Sequence, residues 1–174
     1  MHTTSEWWQA IKADPDKMNR WLVAQYHGER GASRRIREFM DKHAVVYSRE
    51  YEILNVIADQ EELHAEWVLA LLKARGLDPS ADHEERYWKH VLPEATDLRT
   101  GAAVGAHAEA MRLERIRLIA NDDTAPEDVR AVFRQILPHE QFHERAFRHM
   151  AGSEHMSQLA RAHGKAMEAI GLVL

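Results

Sequence analysis

Two Glu-x-x-His motifs, Glu61-Glu-Leu-His64 and Glu140-Gln-Phe-His143, interrupt apolar helical stripes in a chain of 174 residues. Residues three apart share a helix face, so each glutamate points the same way as its histidine. Glu29 and Glu109 precede the two motifs by 32 and 31 residues, on apolar stripes of their own. Four carboxylates and two imidazoles therefore converge on one interior. Unpaired buried charge is very costly, and clustered carboxylates repel each other. No Lys or Arg falls on these stripes; Arg112, one turn from Glu109, lies off the stripe centre. Two divalent cations, with neutral imidazoles supplying nitrogen ligands, would cancel the four charges. Metal binding by Glu29, Glu61, His64, Glu109, Glu140 and His143 is the expectation, against a satisfied polar core.

The ligand pattern belongs to an internal repeat. His27-Gly-Glu29 with Arg35-Ile36-Arg37 recurs at an offset of 80 as His107-Ala-Glu109 with Arg115-Ile116-Arg117. Ile57 with Glu61 and His64 recurs at an offset of 79 as Ile136 with Glu140 and His143. The halves, about 21–76 and 101–152, each supply two helices to one domain spanning 1–174.

Helical periodicity runs through almost the whole chain, and no strand signal competes with it. A short piece at Ser5–Lys12 carries tryptophans toward the bundle. Asp14-Pro15 reads as N-cap and first helical residue of a helix to about Lys42. The second helix spans about Arg49–Arg75, with Gly76 as the residue that ends it. The longest connection, 77–97, holds a short helix near His83–Val91 and a break at Pro93. The third helix covers about Leu98–Ala120. A capping box at Thr124-Ala-Pro-Glu127 opens the fourth, which reaches about Met150, with Gly152 after it. Pro138 removes a backbone hydrogen bond inside that helix and predicts a kink. A fifth helix, Glu154–Leu174, is either a lid or a dimer contact. The fold class is all-α: a four-helix bundle with a long crossover between the second and third helices.

Composition narrows the rest. The absence of cysteine excludes thiolate sites, iron–sulfur clusters and thiol nucleophiles. A formal net charge of −5 argues against nucleic acid or an anionic membrane as the main partner. No apolar run approaches a membrane span, and the N-terminus lacks a signal-peptide pattern, so a cytoplasmic location is expected.

With these residues in place, the chain resembles the ferritin-like superfamily of dimetal-carboxylate proteins, rubrerythrins and bacterioferritins in particular, over about Trp21–Met150. In that superfamily one Glu from each of two helices joins a Glu-x-x-His from each of the other two. The resemblance implies that Glu61 and Glu140 bridge two metals. Glu29 with His64, and Glu109 with His143, would then be terminal ligands of one metal each. It implies two Fe ions, with Mn as the other candidate, and reaction with O2 or peroxide using electrons from an external donor. A rubrerythrin-like ferroxidase or peroxide-reducing oxidoreductase is the favoured activity; a small-substrate or tRNA-type hydroxylase and an iron storage protein are the alternatives. A homo-oligomer, as a dimer, is the expected state. Rubrerythrins usually carry another carboxylate where this chain has Arg112, and the Met that takes haem in bacterioferritins is replaced by Glu62, so no haem is expected.

Other residues invite plainer readings. Tyr26, one turn before Glu29, is core packing or a phenol supporting the metal ligands. Trp67 is core or a cavity wall, and a hydroxylase would need a channel beside it and Tyr26. His27 and His107 belong at the surface or an interface. His83, His90, His139, His149, His155 and His163 belong in solvent or at the core edge. The repeated Arg-Ile-Arg segments read as solvated faces around a core isoleucine. Gly28 and Gly105 read as points of close helix approach.

Overall fold

The computed structural model describes residues 3–80 and 86–172. Thr3 caps α1 (Thr4–Lys12) through a capping box with Glu6. The Asp14 carboxylate accepts from the backbone N–H groups of Asp16 and Lys17 and starts α2 (Pro15–His43), with Pro15 in the first turn. Ser48 caps α3 (Arg49–Ala74). The chain then passes Gly76, at φ +66°, and crosses over through α4 (Arg86–Val91) and a 3₁₀ turn at Leu92–Glu94 that contains Pro93. Asp97 opens α5 (Leu98–Ala120) with a capping box to Thr100. The last element, α6, runs Glu127–Ala169. Helix α2 lies along α3 and α5 along α6, which is the pairing that the repeat requires. No helix among the described residues is long and apolar enough to cross a membrane. The proposed start of the short crossover helix, His83–Glu85, lies outside the described residues, as do Val173 and Leu174.

Two apolar clusters close the ends of the bundle and leave the polar ligands between them. One holds Trp8, Leu22, Val68, Leu72, Ile119 and Phe133; the other holds Met40, Leu54, Ile57, Val91 and Phe147. Trp8 is fully buried, and its indole N–H donates to Asp122 at 2.7 Å, so its polar edge is satisfied.

Three local expectations need correction. No capping box forms at Thr124: its hydroxyl donates to Asp122 at 2.6 Å instead, and Pro126 becomes the N-cap without a side-chain bond. The helix also continues through Pro138 in helical geometry; the break in α6 falls at Gly152, at φ +76° and ψ 161°. Beyond this kink the tail of α6 packs back on α4. Gly105 does mark a close approach, since a Cβ there would sit 2.9 Å from the Phe147 ring, whereas Gly28 has nothing within 4 Å.

The Gly152 backbone conformation is essentially restricted to glycine, and a Cβ would meet no neighbour, so the cost of a side chain there is conformational alone. Gly152→Ala is expected to lose about 1–3 kcal/mol in chemical denaturation. An unchanged midpoint would show that the kink is not required.

Candidate metal centre

The ligand candidates reach the interior from four helices: Glu29 from α2, Glu61 and His64 from α3, Glu109 from α5, Glu140 and His143 from α6. All six are buried, while Glu114, five residues after Glu109 on α5, is exposed. They form two groups whose ligand atoms all lie within 4.8 Å of one another. Glu29, Glu61, His64 and Glu140 make the first; Glu61, Glu109, Glu140 and His143 make the second. Glu61 and Glu140 belong to both.

The histidines face the carboxylates with Nδ1. His64 Nδ1 lies 3.4 Å from Glu140 and 3.8 Å from both Glu29 and Glu61; His143 Nδ1 lies 3.1 Å from Glu61. Their outer nitrogens are held from behind. His143 Nε2 donates to Gln60 Oε1 at 2.8 Å, an acceptor that leaves the lone pair of the neutral ring on Nδ1. His64 Nε2 shares a 3.0 Å hydrogen bond with His139 Nδ1, and the two rings stack at 5.2 Å. His139, half-buried, is thus a core-edge residue that backs the centre through His64. Trp67 walls it, with its ring 5.7 Å from that of His64 and 5.8 Å from that of His139.

Arg112 corrects the charge picture. Its guanidinium enters the cluster, Nη2 donating to Glu29 at 2.5 Å and Glu140 at 3.2 Å, with Nη1 at 3.6 Å from Glu61 and 3.9 Å from Glu109. A long side chain rooted off the stripe reaches round to its centre. Tyr26, by contrast, spends its hydroxyl on Arg30, whose Nη1 donates to it at 3.1 Å. The α2 residue that supports Glu29 is Gln25, donating at 2.5 Å.

These neighbours separate the carboxyls. Burial raises Glu109 well above the usual range, and the Glu140 charge adds to it. Burial also raises Glu29, against the pull of Arg112. At Glu61 and Glu140 burial is outweighed by Arg112 and the histidines, so Glu61 is held well below its usual value and Glu140 at about 2. Burial works against a charged His64, but Glu140, Glu29 and Glu61 push it up to about 12.

One guanidinium cannot serve all these acceptors. Both oxygens of Glu61, one each of Glu109 and Glu140, and Nδ1 of both histidines are buried without a hydrogen-bond partner. Buried polar atoms are rarely left so, and here they are the atoms that converge. Carboxylate oxygen and imidazole nitrogen in two groups of four fit a pair of divalent cations. The rubrerythrin family model matches residues 21–151. The chain belongs to the rubrerythrin family. No curated protein and no solved structure matches it. As a rubrerythrin-family member it is a ferritin-like, all-α protein, and its buried Glu/His cluster is where that family's dimetal chemistry would be held.

Three other histidines tie segments together. His27 Nε2 lies 2.6 Å from the Pro79 carbonyl, anchoring the crossover, and His107 Nε2 lies 2.9 Å from the Met156 carbonyl. His163 stacks on His107 at 4.8 Å and shares a 2.8 Å hydrogen bond with the Tyr87 hydroxyl. Gln60 and His139 escape an apolar-stripe reading because each sits one residue before its Glu-x-x-His. They nevertheless occupy the same position in the two repeats, 79 residues apart, and that equivalence is a usable signal.

Proposed function

We infer that the protein is a di-iron oxidoreductase that passes electrons from Fe(II) or an external donor to O2 or peroxide, with ferroxidase or peroxide-reducing turnover favoured. The observation that carries this reading is the set of six orphaned donor atoms shared between two four-residue groups. Glu61 and Glu140, common to both groups, would help hold both metals, Glu29 with His64 and Glu109 with His143 one each. The metal pair would supply a two-electron reductant with positions open to the oxidant.

The chain's own residues prepare the site. Gln60 fixes the tautomer of His143, and His139 orients His64. Gln25 aims Glu29. Glu109 and His64 give up protons to become ligands, so loading is expected to release protons and to strengthen as pH rises. Arg112 must withdraw from Glu29 and Glu140 for those oxygens to take up ligation.

The test is anaerobic Fe(II) loading of chelator-stripped protein, followed by O2 or H2O2. The expected result is uptake approaching two Fe per chain and oxidation faster than that of free Fe(II). Faster reaction with H2O2 than with O2 identifies peroxide reduction. Trace uptake by normally folded protein would overturn the reading.

A further inference from the structure

The repeated arginines were expected on solvated faces, yet one from each half turns inward over a tryptophan. The Arg115 guanidinium lies 4.8 Å from the Trp7 ring centroid, and that of Arg35 lies 4.1 Å from the Trp88 centroid. Both line a cavity of about 520 Å³ between α1, α2, α4, α5 and residues 170–172, which follow α6. That volume falls within the range of small-molecule sites. Trp7, Trp21 and Trp88 give the cavity flat apolar walls, with Trp7 and Trp21 edge to face at 5.7 Å. Arg86 and Arg115 add charge, and Arg112 forms the boundary with the metal centre.

Among the described residues, Arg115 meets no carboxylate in this cavity. Arg112 is committed to the carboxylates behind it, and no acidic side chain lines the cavity among the described residues. Arg115 has a buried Nε with no hydrogen-bond partner and makes no ion pair among the described residues. Burial, followed by the charge of Arg112, lowers its guanidinium to about 10, against a smaller opposing pull from the exposed Glu114. A buried donor left unpaired is costly, and the planar fork of Arg is suited to a carboxylate. Stacking on Trp7 restricts that fork in advance.

We propose that this cavity binds a small organic carboxylate with a planar aromatic body, its carboxylate on Arg115 and its ring among Trp7, Trp21 and Trp88. The site lies one side chain from the metal ligands, since Arg112 touches both spaces. It does not depend on metal being present. Inorganic phosphate would satisfy the same cations without using the indole walls.

Calorimetric titration of the full-length protein in chelator separates these cases and leaves the dimetal reading untouched. The probes are 1-naphthoate, its neutral amide 1-naphthamide, and inorganic phosphate. Naphthoate is expected to bind about tenfold or more tightly than the amide, as one charge-assisted contact would give. Arg115→Gln should remove about that factor, and Arg115→Lys should recover part of it. Phosphate should compete only weakly. Equal binding of naphthoate and naphthamide, or no binding of either, would overturn the proposal on wild-type protein alone. Phosphate binding as tightly as naphthoate would overturn the aromatic carboxylate in favour of a simple anion site.

Discussion

Arg112→Met, measured in chelator, is expected to be less stable than wild type by about 3–5 kcal/mol, the usual effect of removing one partner from a buried ion pair. For a chain of this length that corresponds to a melting point lower by roughly 6–20 °C. Methionine keeps much of the volume and removes the charge, so the loss reports electrostatics and not a cavity. The Arg112 side chain keeps only 16% exposure, and its guanidinium reaches four buried carboxylates, so solvent cannot take its place. Part of the loss is offset when Glu29 and Glu140 take up protons, which makes the deficit smaller near pH 6 than near pH 8. Saturating Mn(II) is expected to restore the variant by more than it stabilises wild type, because no guanidinium has to withdraw. At a hundredfold excess over its dissociation constant, a bound metal stabilises by about 2.7 kcal/mol. An apo variant that melts within a degree or two of wild type would show that Arg112 is not the counter-ion.

The same residue marks the boundary of what the sequence could convey. Stripe positions are set by the 3.6-residue period, so the six buried ligand candidates and the helices that carry them follow directly from spacing. Helix α5 is found at Leu98–Ala120, where periodicity places it, and Asp14-Pro15 caps α2 as its chemistry requires. What escaped is what long or adjacent side chains do after leaving the backbone. Arg112 leaves α5 off the stripe and reaches back to its centre. His139 and Gln60 lie beside their motifs in sequence but support the histidine of the opposite half across the bundle. Arg35 and Arg115 read as surface because arginine usually is; the tryptophans that cover them come from α4 and α1, elements distant in sequence. At Thr124 two local hydrogen bonds compete for one hydroxyl, and Asp122 takes what the capping box needed. At Gly152 the residue type was visible, but the direction of the chain beyond it depended on packing against α4.

Replacing both shared glutamates, Glu61→Gln with Glu140→Gln, should remove two donors from each group of four at once. Metal content is expected to fall from about two to below one per chain, and O2- or peroxide-dependent oxidation to disappear. Mutual repulsion of four carboxylates alone would predict an apo double variant at least as stable as wild type. The structure reverses that expectation, because Arg112 and His64 are the cations that Glu61 and Glu140 neutralise. The folded His64 lies at about 12, above its ordinary value of 6.5. Its contribution is therefore complete below about pH 6.5 and is lost as pH rises toward 12. Glu109, raised well above 4.5, adds a loss of the same sign. Glu61 and Glu140 are depressed, so their contribution is present above about 4.5 and is lost only as pH falls, for Glu140 toward about 2. Between pH 6.5 and 9 apo wild type should thus lose stability, by up to about 1.4 kcal/mol per pH unit for each proton retained by the folded state. The double variant releases His64 from two of its carboxylates and should show a flatter profile. It is expected to melt below wild type by about 3 kcal/mol equivalent at pH 6.5, with the gap closing toward pH 9. Thermal melts of both proteins in chelator across that range decide the matter. A double variant that matches or exceeds wild type at pH 6.5 would mean that repulsion among the carboxylates, not their pairing with Arg112 and His64, dominates the empty site.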